Sequence, residues 1–139
     1  MATITLHGNS VSAKALAIGT ISTDTATNGT AVDTALYSNN FRDVKFVVLS
    51  GAITDGSYAV TVEESDSSGS GYGAVATERV LGSLPTFTGS DDNVVKEFGV
   101  RPTKRYVRIV VTSTSTSSGG VLSAVAVMGN GSNLPPARS

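Results

Sequence analysis

His7 is the chain's single histidine, and a Ser-His-Asp arrangement would have to recruit it. No G-x-S-x-G elbow presents a serine to it. The nearest run, Ser68-Gly69-Ser70-Gly71, has the wrong spacing. His7 therefore reads as an exposed or strand-end side chain. There is no cysteine, which removes thiol nucleophiles, Cys-ligated zinc, iron–sulfur clusters and disulfides in one step. A glycosidase needs two carboxylates flanking a sugar bond. Glu63 and Glu64 are neighbours in a predicted strand, so they point to opposite faces and cannot form that pair. Asp66-Ser67-Ser68-Gly69-Ser70-Gly71 offers some oxygen ligands for calcium, but it lacks the alternating acids and closing glutamate of an EF-hand loop. A solvated loop is the expectation there, and Asp91-Asp92-Asn93 is expected to make a turn.

Arg101, Lys104, Arg105 and Arg108 concentrate positive charge. No aromatic platform accompanies them in the sequence and Glu97 lies near, so cross-strand ion pairs or a salt bridge to a partner protein are expected rather than nucleic acid. The glycine-rich pieces do not end in Lys-Ser/Thr, so no phosphate loop is present. No residue set specifies a reaction. The expectation is a protein that is not an enzyme, with no catalytic, cofactor-binding or metal residues.

The elements that would position any site are strands. The 139 residues are 40% hydrophobic and 15% charged, with a formal net charge of -1. That is one domain's worth of chain, long enough to bury a core unaided. Ser and Thr make up about a quarter of it, well above ordinary usage, and Val is the commonest large apolar residue. Val and Thr are stiff at χ1 and fit a pleated sheet better than a helix. Met1-Ala2-Thr3 carries no basic n-region and no apolar run reaches membrane-span length, so a chain made and folded in a cytosol is expected, with no membrane partner. Asn28-Gly29-Thr30 and Asn130-Gly131-Ser132 match glycosylation sequons but read as turns.

Periodicity divides the chain into residues 1–40, 41–128 and 129–139. In the first zone, strands are expected at 3–6 and 15–18, while 20–40 has too little apolar content to fold alone and must lie on something. Isolated anchors at Ile4, Leu6, Leu16, Ile18, Ile21, Val32 and Leu36 suit either an N-terminal arm laid along a neighbour or edge strands of the same sandwich, with the arm preferred. In the second zone, 44–49 is apolar on both faces, and 58–64 alternates with Tyr58, Val60 and Val62 inward. With Asp55-Gly56 between them, these two segments predict a β-hairpin. Residues 65–73 form a polar loop, and 74–81 fits either a strand or a short helical turn. Residues 84–87 read as extended. Further strands are expected at 94–100, 105–112 and 121–128, the last apolar on both faces. Phe46, Val48, Val60, Val62, Val107, Ile109 and Val111 are the predicted core. The last zone, with Pro135-Pro136, is an irregular tail. The fold class is all-β: a single antiparallel β-sandwich, jelly-roll-like or Ig-like.

The stretches FRDVKFVVLSGAITDGSYAVTVEESDSSGSG (41–71) and KRYVRIVVTSTSTSSGGVLSAVAVMGN (104–130) carry a resemblance. Within them the matching features are Gly51-Ala52-Ile53-Thr54-Asp55-Gly56, Val62-Glu63-Glu64-Ser65-Asp66 and Lys104-Arg105-Tyr106-Val107-Arg108. From 41 to 130 the two stretches span about two-thirds of the chain. They resemble small virion proteins of tailed bacteriophages, of the capsid-decoration or cement type. Leu134-Pro135-Pro136 fits the Pro-rich end of such proteins only loosely. The resemblance implies a structural protein on the capsid surface that binds the lattice of the major capsid protein. A symmetric homo-oligomer is expected with it, most simply a trimer at three-fold shell positions. A neck, tail or fibre component is the alternative within virions. A carbohydrate-binding module is the alternative outside them, though without tryptophan it would depend on Tyr37, Tyr58, Tyr72 and Tyr106.

Overall fold

Runs of Val, Ile and Thr set where the long strands lie. A computed structural model describes residues 5–132. In chain order its strands are β1 (Val11–Ile21), β2 (Ala26–Asn28), β3 (Val32–Asp33), β4 (Asp43–Ile53), β5 (Ser57–Ser65), β6 (Gly73–Ala74), β7 (Val80–Leu81), β8 (Thr86–Phe87), β9 (Val95–Val100), β10 (Tyr106–Thr114) and β11 (Gly120–Gly129). One helical turn, α1 (Leu6–Asn9), precedes them. A five-stranded sheet runs β1-β11-β4-β9-β7, and a six-stranded sheet contains β2-β10-β5-β6, with β3 on β10 and β8 on β5. Every pairing is antiparallel. The chain is an all-β sandwich.

The core lies between the sheets, and the seven predicted core residues are all in it. Phe46, Val48, Leu122 and Met128 from one sheet pack with Tyr58, Val60, Ile109 and Val111 from the other. Phe46 and Phe98 stack across β4 and β9 with ring centroids 5.4 Å apart. Alternating inward positions along each strand produce this directly.

The expected β4–β5 hairpin does not form. β4 pairs with β11 and β9, and β5 pairs with β10, so Asp55-Gly56 carries the chain from one sheet to the other. Alternation assigns faces to a strand, but it does not choose the strand's neighbour. The connection from β10 to β11 also crosses between the sheets, and Asp55 ties the two crossings together. Its carboxylate accepts the N–H groups of Ser117 (3.0 Å), Ser118 (3.0 Å) and Gly119 (2.9 Å) and the Ser117 hydroxyl (2.7 Å). Asp24 takes the Thr116 N–H and hydroxyl of the same loop. Gly119, at φ +94°, is required there, because a Cβ would stand 2.4 Å from the Ile21 carbonyl oxygen.

The Ser117 hydroxyl, followed by the three backbone N–H groups, holds the Asp55 carboxyl well below the ordinary carboxylate range. The Thr116 hydroxyl and N–H lower that of Asp24 in the same way. Both pKa values are depressed on folding. Their contribution is therefore present above the unfolded carboxyl's value of about 4 and lost as pH falls below it. The expected result, read by NMR of the side-chain carboxyl carbons, is that Asp55 is still ionised at about pH 3. Titration at the unperturbed value would show that the clamp does not form.

At the N-terminus, the strand expected at 3–6 is not what Leu6 forms. Residues 1–4 lie outside the described residues, and Thr5 caps α1 by accepting the Gly8 N–H at 2.8 Å on its hydroxyl. The strand expected at 15–18 extends to eleven residues as β1, pairing along β11. β2 and β3 lie on β10, so residues 20–40 do find a surface to rest on. That surface is the chain's own sandwich, which makes the 11–33 segment edge strands rather than an arm. Leu16 and Val32 are buried, Ile21 and Leu36 pack against the core, and Leu6 and Ile18 stay exposed. The segment 74–81 is both things the periodicity allowed: β6, a 3-10 turn at Thr77–Arg79, then β7. Of the tail, 130–132 is irregular and 133–139 lies outside the described residues.

Candidate functional site

His7 sits exposed on α1. Asp91 accepts the Thr88 N–H and pairs with Lys96 at 3.2 Å, while Asp92 accepts the Ile53 N–H, so both acids hold the turn before β9. Asp66 is exposed in a loop that closes on itself through Ser65, whose hydroxyl donates to the Ser70 carbonyl and accepts the Ser67 N–H. No three acidic or histidine side chains converge on a metal position among the described residues.

Three of the four residues of the basic cluster, Arg101, Arg105 and Arg108, form the expected ion pairs, and Lys104 is exposed. Arg108 lies directly across from Glu63 in the β10–β5 register and donates to it from Nε and Nη2, both at 3.0 Å. Arg105 grips Asp33 with two bonds of 2.9 and 3.0 Å, and Arg101 reaches Asp43 at 3.2 Å. Contrary to the expectation, aromatic rings do accompany the cluster, one of them its own sequence neighbour Tyr106. The Arg108 guanidinium stands 3.8 Å from the Tyr72 ring centroid, and Arg105 lies 5.0 Å from that of Tyr106. Tyr72 comes from the 65–73 loop, which folds back beside β5, and nothing local in the sequence announces that approach.

Glu63 and Glu64 do face opposite ways. Glu64 points inward, its side chain 6% exposed, and meets Arg79 (24% exposed) at 2.7 Å. It also accepts the Thr103 N–H at 2.9 Å. The Arg79 hydrogen bonds, then the Thr103 N–H, hold its carboxyl below the usual range against the opposing effect of burial. An inward glutamate on an alternating strand must have a partner, but its identity depends on tertiary contact. Glu64 thus fastens the Thr77–Arg79 turn and the 101–103 loop to β5. Glu64→Ala is expected to cost about 2–3 kcal/mol, less than the ~3–5 of a fully buried pair because Arg79 keeps some access to water. A denaturant midpoint equal to the parent's would contradict this.

What the sandwich offers to the outside is asymmetric. The outer face of the six-stranded sheet carries Thr61, Glu63, Arg108 and Thr112. The outer face of the five-stranded sheet carries more apolar side chains. Its rows read Lys14–Val125–Val47–Glu97, Ser12–Val127–Lys45–Gly99–Leu81 and Ser123–Leu49–Val95 across β1, β11, β4, β9 and β7. Val95 is 58% exposed, and Leu49, Leu81 and Val125 are also exposed. Two shallow apolar hollows open on this face, one lined by Leu6, Leu81 and Val127, the other by Ala13, Ile18 and Val125. The signal for it was in the sequence, since 44–49 and 121–128 are apolar on both faces. That pattern reads equally as strands covered on both sides. Among the described residues, one side is uncovered.

No protein-family model, no curated protein and no solved structure matches the chain.

Proposed function

We propose that the protein is a structural component of a tailed-phage virion that decorates or cements the capsid by binding the lattice of the major capsid protein. The observation that carries this reading is the bare apolar face of the five-stranded sheet, backed by a polar, ion-paired face on the other sheet. A soluble monomer seldom leaves an apolar patch of that breadth without a partner. A cement needs this polarity, with one side for protein and one for solvent. The resemblance of 41–71 and 104–130 to phage decoration proteins points to a shell as the setting. Glu63, Glu64, Asp91, Asp92, Arg101, Arg105 and Arg108 are engaged in fastening loops and strands, which suits a rigid, displayed module. Carbohydrate binding is less well supported, because Tyr58 is buried and one face of the Tyr72 ring is occupied by Arg108.

Labelling intact virions of the encoding phage with antibody to this chain tests the setting. Labelling spread over the capsid surface is expected. Labelling confined to the neck or tail, or absent from virions, would overturn the capsid reading.

A further inference from the structure

The chain holds two Asn-Gly pairs, Asn28-Gly29 and Asn130-Gly131. Glycine has no Cβ to obstruct its nitrogen, so such a pair can react with itself. The glycine nitrogen attacks the asparagine Cγ, the new N–Cγ bond closes a five-membered succinimide, and the Cγ–Nδ2 bond breaks. Solvent takes the amide proton and returns one to the leaving nitrogen, which departs as ammonia. Water then splits the ring nitrogen from one carbonyl, from Cγ to leave aspartate or from the main-chain carbonyl to leave isoaspartate. Both asparagines are exposed, so access to water does not separate the two sites. We infer that Asn130-Gly131 is a self-modifying site, converting to aspartate and isoaspartate while the protein stays folded, and that the fold holds Asn28-Gly29 intact.

The backbone separates the pairs first. The Gly29 N–H donates to the Ile109 carbonyl at 2.7 Å, and the next N–H, of Thr30, donates to the Ala15 carbonyl at 2.8 Å. Asn28 itself belongs to β2, opposite Val110. Attack by the Gly29 nitrogen would break its bond and pull the turn away from β10. The Gly131 N–H, in contrast, makes no hydrogen bond to any described residue. Asn130 lies beyond the last pair of the β11–β4 ladder, Gly129 with Asp43, and stands at φ +54°. No strand partner resists the rotation that brings its Cγ to the Gly131 nitrogen.

Charge separates them again. Arg42 donates from Nη1 to the Asn130 carbonyl oxygen at 3.1 Å, and that carbonyl shares its peptide unit with the Gly131 N–H. A charged donor draws electron density toward the oxygen, which makes the N–H more acidic, and nearby positive charge favours the deprotonated, attacking nitrogen. Asn130 and Arg42 line one hollow with Arg79, Arg101 and Asp43. Arg79 is balanced there by Glu64 and Arg101 by Asp43. Of the three arginines, Arg42 alone has no carboxylate partner among the described residues, and it is the one that touches Asn130. The new carboxylate forms beside that unmatched guanidinium and makes the chain one charge more negative than its formal -1. The inference stands whether or not the chain resides on a capsid.

Ageing the full chain in mildly alkaline buffer and mapping its peptides by fragmentation mass spectrometry tests it. In the folded protein, Asn130 is expected to convert at least about tenfold faster than Asn28, because the Gly29 nitrogen must first leave the Ile109 carbonyl. In strong denaturant, which removes the fold's protection, the two sites should convert at similar rates. Arg42→Gln should slow conversion at Asn130 several-fold and leave Asn28 unchanged. Arg42 is exposed, and unchanged melting will verify that the variant folds. Isoaspartate at position 130, detected by enzymatic methylation of its carboxyl, marks passage through the succinimide rather than direct hydrolysis of the amide. Equal rates at the two sites of the folded protein would overturn the proposal. So would an Asn130 that stays intact while the denatured chain converts, conversion without isoaspartate, or an Arg42 variant that converts as fast as the parent.

Discussion

Deleting residues 1–20 will abolish cooperative unfolding, although the segment is weakly patterned. β1 supplies nearly all of one edge of the five-stranded sheet, and its loss exposes the whole length of β11. Val11, Ala15 and Leu16 leave the core with it. Burial of a Val or Leu side chain contributes about 1.5–3 kcal/mol, so two of them already approach the lower end of a domain's total stability of about 5–15 kcal/mol. The deletion also removes the Ala15 carbonyl that accepts the Thr30 N–H at 2.8 Å, the bond that seats the 29–30 turn. A cut before Ser10, which removes only α1 and what precedes it, should leave the melting transition intact, because α1 buries no residue. A 1–20 deletion that melts like the parent would show that β1 is dispensable.

This prediction reverses the expectation from the sequence, and the reason is physical. β1 bulges between Lys14 and Leu16 and again between Leu16 and Gly19. Each bulge breaks the two-residue period, so Ala15 and Leu16 are consecutive and both buried. A search for alternation then sees only scattered anchors. β10 and β5 keep strict pairing over nine residues, and there the inward set Val107, Ile109 and Val111 was readable from the pattern alone. Faces were legible wherever the period held. Partners were not, which is why Asp55-Gly56 passed for a hairpin turn. The same limit hid the site. The apolar outer rows of β4 and β11 were visible as residues, but whether anything covers them depends on sheet order.

Ile109→Ala should lower stability by about 2–5 kcal/mol. Ile109 is fully buried at the centre of β10, opposite Val62 in β5, and its backbone carbonyl accepts the Gly29 N–H at 2.7 Å. The space cannot refill easily, because the core side chains around it are held on the strands of two paired sheets. At roughly 3–5 °C per kcal/mol for a chain of this size, the melting temperature should fall by about 6–25 °C. Thr112→Ala, on the exposed face of the same strand, should change stability by no more than about 0.5 kcal/mol. Equal melting of the Ile109 variant and the parent would mean that β10 is out of register.

The proposed role on a virion is tested most directly by titrating purified protein onto mature, expanded capsids that lack it and measuring copies bound per particle. Capsid decoration predicts saturation at a fixed number of copies matching a repeated shell position. It further predicts that capsids will resist heat or chelator better once saturated. Failure to bind expanded capsids at concentrations far above those present in an infected cell would contradict the account, as would binding that never saturates.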